Sequence, residues 1–247
     1  MAKGCIVTPQ LGEAWVYLAA SPLLGLTMTL LAYQGATWLH RRSGGHPLAN
    51  PVLLAVAVLV ALLALTGTSY QTYFDGAQFV HFLLGPATVA LAIPLYAQFD
   101  RLRRMALPLL GALLVGSLTA ALSAVAIGGL LGASEATQLS LAPKSVTTPI
   151  AMGIAERIGG LPSLTAILVI ATGILGAMGA SFIYRALKIE DDAVRGFALG
   201  IASHGIGTAR AFQESEQAGA FAALAMGLNG LMTALLLPVV MPWVIGS

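Results

Sequence analysis

Lys144 stands in the stretch "LAPKSVTTPIAMG", residues 141–153, between Pro143 and Pro149 and beside Ser145, Thr147 and Thr148. An ammonium at the centre of a bilayer costs roughly 2.5–3.5 kcal/mol on insertion scales, so it normally faces a cavity or a partner. At a membrane edge the same side chain would merely snorkel to the headgroups. In the first setting its chemistry is anion binding. The cation attracts a carboxylate and the hydroxyls hydrogen-bond to it. The backbone interrupted by two prolines offers N–H groups at the start of a half-helix.

A second constellation is "GIASHGIGTARAF", residues 200–212. His204 lies in a run without Asp, Glu, Lys or Arg, and Arg210 follows it. Imidazole changes charge near neutral pH, which suits proton coupling or gating. A guanidinium can clamp a carboxylate with two parallel hydrogen bonds. Gly205 and Gly207 point to unwound backbone or close helix packing, with Thr208 capping the helix that follows.

The third, "LLGPATVALAIP", residues 83–94, offers a break at Gly85 and Pro86 and a hydroxyl at Thr88, but no charge. A Pro-kinked helix packed on its neighbours would account for it equally well. Asn229 is expected to hydrogen-bond across helices, and Glu156 and Arg157 to pair at a boundary. No nucleophile triad, phosphate loop or metal-ligand spacing is present, so no enzyme, cofactor or metal is expected. Ser145 beside Lys144 is a Ser–Lys pair by adjacency alone, and neighbours on a helix point apart.

The elements that must position these residues follow from composition. The chain has 247 residues, 57% hydrophobic and 9% charged, against about 25% charged in a soluble domain. Ala14–Leu39, Met105–Ser134, Ile158–Tyr184 and Gln217–Ser247 contain no Asp, Glu, Lys or Arg. Each exceeds the roughly 20 residues a helix needs to cross a bilayer. Strand-like alternation is absent, which leaves helices rather than a β-barrel. The fold class expected is an all-α, polytopic transmembrane bundle, one domain over 1–247. Seven to eight segments lie near 14–36, 52–70, 78–97, 106–131, 138–155, 162–184, 193–210 and 217–244, some of them Pro-broken or re-entrant. The N-terminal stretch lacks the layout of a signal peptide. Cys5 is the single cysteine, so an intrachain disulfide is excluded. The net charge of +2 does not point to nucleic acid.

Orientation follows from the basic loops. "HRR" (40–42) and "RLRR" (101–104) belong on the cytoplasmic side, yet strict alternation then puts Arg185 and Lys188 outside. A re-entrant segment between 105 and 185, with Pro143 and Pro149 in it, removes the conflict. An internal repeat is suggested by laying 83–94 over 140–151 at an offset of 57 (143 − 86), and it would be inverted if an odd number of crossings separates the halves.

Three strings together resemble the CidB/LrgB family of integral membrane proteins: "FLLGPATVALAIPLY", "SLAPKSVTTPIAMGI…GGLPSLTAILVIATGILGAMG" and "ALGIASHGIGTARAFQ…AGAFAALAMGLNGLMTALLLP". The resemblance runs from about Tyr70 to Pro238. "PKSVTTPIA" and "HGIGTARA" are its most specific strings, and the N-terminal part matches only in hydrophobicity. Ser203 departs from an expected alanine, and the glutamate expected soon after Arg210 comes later, which weakens a role for Glu214. The resemblance implies either a holin-like or antiholin-like modulator of murein hydrolase activity and autolysis, or a carrier of pyruvate, glycolate or glycerate. It also implies a separate small partner of the CidA/LrgA type, and the multi-pass chain would sit in the inner, cytoplasmic membrane, with a homo-oligomer as a further possibility. A buried lysine, an intramembrane histidine and two broken helices suit a carboxylate carrier working by alternating access better than a lesion-forming assembly. In that reading Lys144, Ser145, Thr147, Thr148, Thr88 and Arg210 bind the substrate and His204 gates or carries a proton. Gly85, Pro86, Pro143, Pro149, Gly205 and Gly207 supply the broken backbone.

Overall fold

The computed structural model describes residues 22–44 and 49–245; positions 22, 81, 84, 85 and 88 are described by their backbone alone. The Thr88 hydroxyl therefore lies outside the described residues. Among the described residues every regular element is a helix. They are α1 (Pro22–Arg42), α2 (Pro51–Thr66), α3 (Tyr70–Ala90), α4 (Ala92–Ala97), α5 (Phe99–Arg104), α6 (Ala106–Leu130), α7 (Glu135–Leu141), α8 (Thr148–Ile158), α9 (Pro162–Ala186), α10 (Asp192–Glu214) and α11 (Glu216–Ile245).

Local chemistry sets many of the boundaries. Asn50 caps α2 with its side chain, and Pro51 opens the helix where no N–H is needed. Asp191 caps α10 through Ala193 and Val194 N–H. Gly159, at φ +91°, ends α8 in the left-handed conformation that favours glycine.

The chain forms two compact units, one running to Ala90 and one from Leu91 onward. In the first, α1 packs on α2 and α3. Gly25 makes the α1–α3 approach close, since a Cβ there would lie 2.8 Å from Ala77 N and from Tyr73 O. The Thr29 and Tyr73 hydroxyls hydrogen-bond at 2.6 Å beside it. α3 continues through Gly85 and Pro86, and its break falls at Leu91 rather than at the proline.

The second unit is built on α6, α9 and α11, of 25, 25 and 30 residues, each long and apolar enough to cross a membrane. At 1.5 Å rise per residue they run about 37–45 Å. Among the described residues these are the three helices of that kind. Two of the other expected segments, 138–155 and 193–210, are hairpins.

The first hairpin is α7, an irregular turn at 142–147, and α8. After α8 the chain is back beside α7: Leu161 N–H donates to Ser140 Oγ at 2.7 Å, and a Cβ on Gly160 would lie 3.0 Å from Ser140 N. The second hairpin is α10 itself, whose helical course is broken at His204 (φ 42°, ψ −132°). A Cβ on Gly207 would lie 2.6 Å from Leu199 O. Eight residues of straight helix would separate those positions by about 12 Å, so arm 205–214 folds back along arm 192–203.

The hairpins enter from opposite ends. Leu139 and Ile154 of the first share a core cluster with Val125 near the end of α6 and Met241 near the end of α11. Phe197 of the second shares one with Leu113 of early α6 and Phe221 of early α11. α9 joins them: Thr165 Oγ1 near its start donates to Ser140 O at 3.2 Å, and the Tyr184 hydroxyl near its end donates to Arg195 O at 2.8 Å. One long helix between two hairpins makes them an inverted pair. The offset is 60 (204 − 144), with Leu139/Leu199, Ala142/Ala202, Thr148/Thr208 and Ala151/Ala211 identical. The expected offset of 57 drew on the prolines and paired the first hairpin with the end of α3, where the helix runs on through Pro86.

The basic loops fit this path. Arg101 Nη2 meets Asp191 Oδ2 at 2.6 Å, so "RLRR" and the loop carrying Arg185 and Lys188 share one end of the bundle. That is the arrangement a doubled-back segment between 105 and 185 requires.

Candidate functional site

The two hairpin turns reach the middle of the long helices. Asn229, midway along α11 and 1% exposed, hydrogen-bonds to both hairpins. Its Nδ2 donates to Ser145 O at 3.2 Å and to Ile201 O at 3.1 Å. Its Oδ1 accepts from Ser117 Oγ of α6 and from Thr233 Oγ1 at 3.4 Å. Two donations and two acceptances exhaust an amide. Sequence reasoning expected Asn229 to bond across helices, and it does. Main-chain carbonyls as its partners carried no sequence signal.

Lys144 projects from the first turn, half-buried. Its Nζ donates to Ser145 Oγ at 3.3 Å, and among the described residues it has no carboxylate partner. Pro143 is fully buried in the turn. Pro149 is the second residue of α8, so it starts that helix rather than breaking one. Thr147 occupies the N-cap position without a side-chain capping bond. The start of α8 thus lacks a side-chain cap four residues after Lys144, and a helix N-terminus and an ammonium both favour negative charge.

His204 is the turn of the second hairpin, 5% exposed. Its Nε2 lies 3.0 Å from Val169 O of α9. A carbonyl only accepts, so Nε2 carries hydrogen and Nδ1 is the position left for a second proton. The unwound residue is thus His204. Of the two glycines after it, Gly207 serves close packing against Leu199, whereas a Cβ on Gly205 would meet only Met226 Sδ, at an ordinary 3.8 Å. Thr208 does not cap a helix. Its hydroxyl donates back to His204 O at 2.9 Å, the i−4 bond typical of threonine inside a helix.

Arg210 is otherwise occupied. Nη2 pairs with Glu214 Oε1 at 3.3 Å and reaches Ser181 Oγ at 3.3 Å, while Nη1 reaches Gln213 Oε1 at 3.3 Å. Ser181 lies 12 residues beyond Val169 on α9 (181 − 169), about 18 Å of helix. Glu214, whose late position after Arg210 weakens its expected role, neutralises Arg210. Glu156 and Arg157 form no such pair among the described residues.

The arrangement brings together Lys144, Ser145 and the start of α8 around Asn229, with Ile201 of the second hairpin bonded to the same amide. It can hold an anion against a cation and helical N–H groups. Among the described residues no group of His, Cys, Asp and Glu could hold a metal.

The LrgB-like family model matches residues 29–243, which adds α1 and α2 to the stretch that the motifs alone covered. The "Uncharacterized protein YwbG" of Bacillus subtilis (strain 168) is 38% identical over 211 residues, 85% of this chain and 93% of that protein. The "Antiholin-like protein LrgB" of Bacillus cereus (strain B4264) is 32% identical over 225 residues, 91% of this chain and 97% of its own length. The protein of that name from Bacillus anthracis (strain CDC 684 / NRRL 3495) matches to the same extent. No solved structure matches the chain. With apolar helices, the two specific strings in place and a match over most of its length, the chain belongs to the LrgB-like family.

Proposed function

We propose that the chain is a multi-pass protein of the inner, cytoplasmic membrane that carries a small monocarboxylate of the pyruvate, glycolate or glycerate class. The observation behind this reading is Lys144: a half-buried ammonium in a hairpin turn, without a carboxylate partner among the described residues and next to the uncapped start of α8. An unpaired cation at that depth is costly, and an anionic substrate would offset the cost while bound. Ser145 and Thr148 would read a 2-hydroxy or 2-keto group. His204 would gate the site or carry a proton through Nδ1. Arg210 would assist only by leaving Glu214. Two hairpins of opposite sense meeting at mid-depth suit alternating access. The seven or eight membrane segments would comprise the three long helices, the two hairpins and the N-terminal helices. A small CidA/LrgA-type membrane protein would be the partner.

A second reading rests on the relatives, which are named antiholin-like. Those names speak more directly for a modulator of murein hydrolase activity and autolysis than for a carrier. The test is uptake of labelled pyruvate, glycolate, glycerate and lactate into proteoliposomes, with and without a pH gradient and the partner. Saturable uptake lost in Lys144→Ala supports the carrier. No uptake in any combination, or leakage that includes neutral solutes, moves the conclusion to the antiholin-like reading.

A further inference from the structure

We infer that Asn229 is the positioning residue of this site: its amide ties the two hairpin turns into one unit, so that neither moves independently of the other. The inference rests on the carrier reading for its meaning in transport, but its geometry stands apart. One NH2 group donates to Ser145 O in the first hairpin and to Ile201 O in the second, at 3.2 and 3.1 Å. Among the described residues no other side chain is hydrogen-bonded to both hairpins. Ser117 and Thr233 occupy the carbonyl end of the same amide, which fixes its orientation.

The bond to the first hairpin lands on the residue that positions the cation. Ser145 accepts from Asn229 through its main chain and from Lys144 through its hydroxyl. The bond to the second lands three residues before the His204 turn. Both carbonyls lie where the helical ladder ends, and a buried carbonyl that loses its donor is left with the full cost of desolvation. Displacing one turn while Asn229 stays in place would strand one carbonyl. Displacing both together strands neither if the amide follows. The low-cost motion is therefore concerted.

Hydrogen exchange on the full-length protein in lipid nanodiscs, without substrate, tests this. Asn229→Asp keeps the shape and removes both donors in its ionised form. Exchange is expected to become about tenfold faster or more in both 142–147 and 202–206, with the outer turns of α6 (106–112) and α11 (236–242) unchanged. Ser117→Ala, a milder change that only loosens the orientation of the amide, is expected to give a smaller rise in the same two segments. Acceleration in one hairpin alone, across the whole chain, or nowhere overturns the inference. Should Asn229→Asp fail to yield folded protein, Ser117→Ala decides by the same criteria. A chain that transports nothing can still meet this pattern, and a carrier dependent on Lys144 can still fail it, so the two conclusions stand or fall separately.

Discussion

Lys144 and His204 hold equivalent places, 60 positions apart, at the turns of two hairpins that enter the bundle from opposite ends. At each the helical ladder is interrupted, and at each the interruption is secured by a bond to a long helix: Ser145 O to Asn229 of α11, and the His204 ring to Val169 O of α9. Interrupted backbone at membrane depth is tolerated only where protein or a water-filled cavity satisfies it. Ser117, Ser145, His204, Asn229 and Thr233, all buried, are the polar side chains at or bonded to these two interruptions.

The ammonium of Lys144 is expected to be required for uptake and not for folding. Its one bond is to a neighbouring hydroxyl, so Lys144→Ala strands no buried partner and should leave expression and detergent behaviour unchanged while lowering the uptake rate at least about tenfold. Lys144→Arg keeps the charge in a planar, bulkier form and should recover only part of it. Wild-type uptake by Lys144→Ala would remove the lysine from the site.

The backbone at His204 gives a prediction that needs no substrate. Its φ of 42° with ψ of −132° is a conformation that glycine adopts freely and other residues do not. Such strain costs of order 1–3 kcal/mol. His204→Ala loses the bond to Val169 and keeps the strain, whereas His204→Gly loses the same bond and relieves it. Thermal unfolding should therefore place the glycine variant about 1–2 kcal/mol above the alanine variant. The reverse order would mean that the turn is not held in this conformation.

Sequence reasoning reached the helical class, the doubled-back segment around Pro143 and the pairing of basic loops because each has a local or counting signal: apolar length, proline, and the side on which arginines fall. The second hairpin has none of these. α10 carries no proline, and although Gly205 and Gly207 point to unwound backbone in this stretch, the residue at positive φ is the histidine just before them. The offset of 60 was present in Leu139/Leu199 and Thr148/Thr208, but Pro86 and Pro143 are stronger visual anchors and gave 57 instead. The partners of Asn229 are carbonyls 84 and 28 residues away (229 − 145 and 229 − 201), and every residue type has a carbonyl. Only the fold could select these two.

Asp191 sets a pH-dependent term at the end of the bundle. Partial burial alone would raise its carboxyl, but N–H donation from Val194 and Ala193 and the Arg101 guanidinium more than offset that, holding it below the usual carboxylate range. A folded value below the unfolded one, about 3.9, means the contribution is complete above that value and is lost as pH falls through the folded one. Asp191→Asn keeps the N-cap and removes the ion pair. The pair's side chains are 35% and 46% exposed, so the cost at pH 7 should stay below about 1 kcal/mol. The acid limb of the stability curve should flatten in the variant, and an unchanged limb would show that the carboxyl does not report on folding.

Gly176 and Ser203 should be coupled. Ser203 is fully buried with its hydroxyl unpartnered, and it is the position where the family resemblance leads one to expect alanine. A Cβ on Gly176 would come within 1.9 Å of Ser203 Oγ but 3.2 Å from Ser203 Cβ. Gly176→Ala in the wild-type background must either turn the Ser203 hydroxyl to another rotamer or part the α9 and α10 backbones, an overpacking that costs about 1–3 kcal/mol. Ser203→Ala removes a buried hydroxyl that has no bond to lose, so it should be neutral or stabilising. Combined, the oxygen in the way is gone and the new methyl meets Cβ at a distance that a shift of a few tenths of an ångström relieves. The double variant should therefore be more stable than Gly176→Ala alone by at least about 1 kcal/mol, a coupling that unfolding of all four proteins would read directly. Strict additivity would mean that the serine hydroxyl does not point at Gly176, and the packing of the second hairpin against α9 would have to be redrawn.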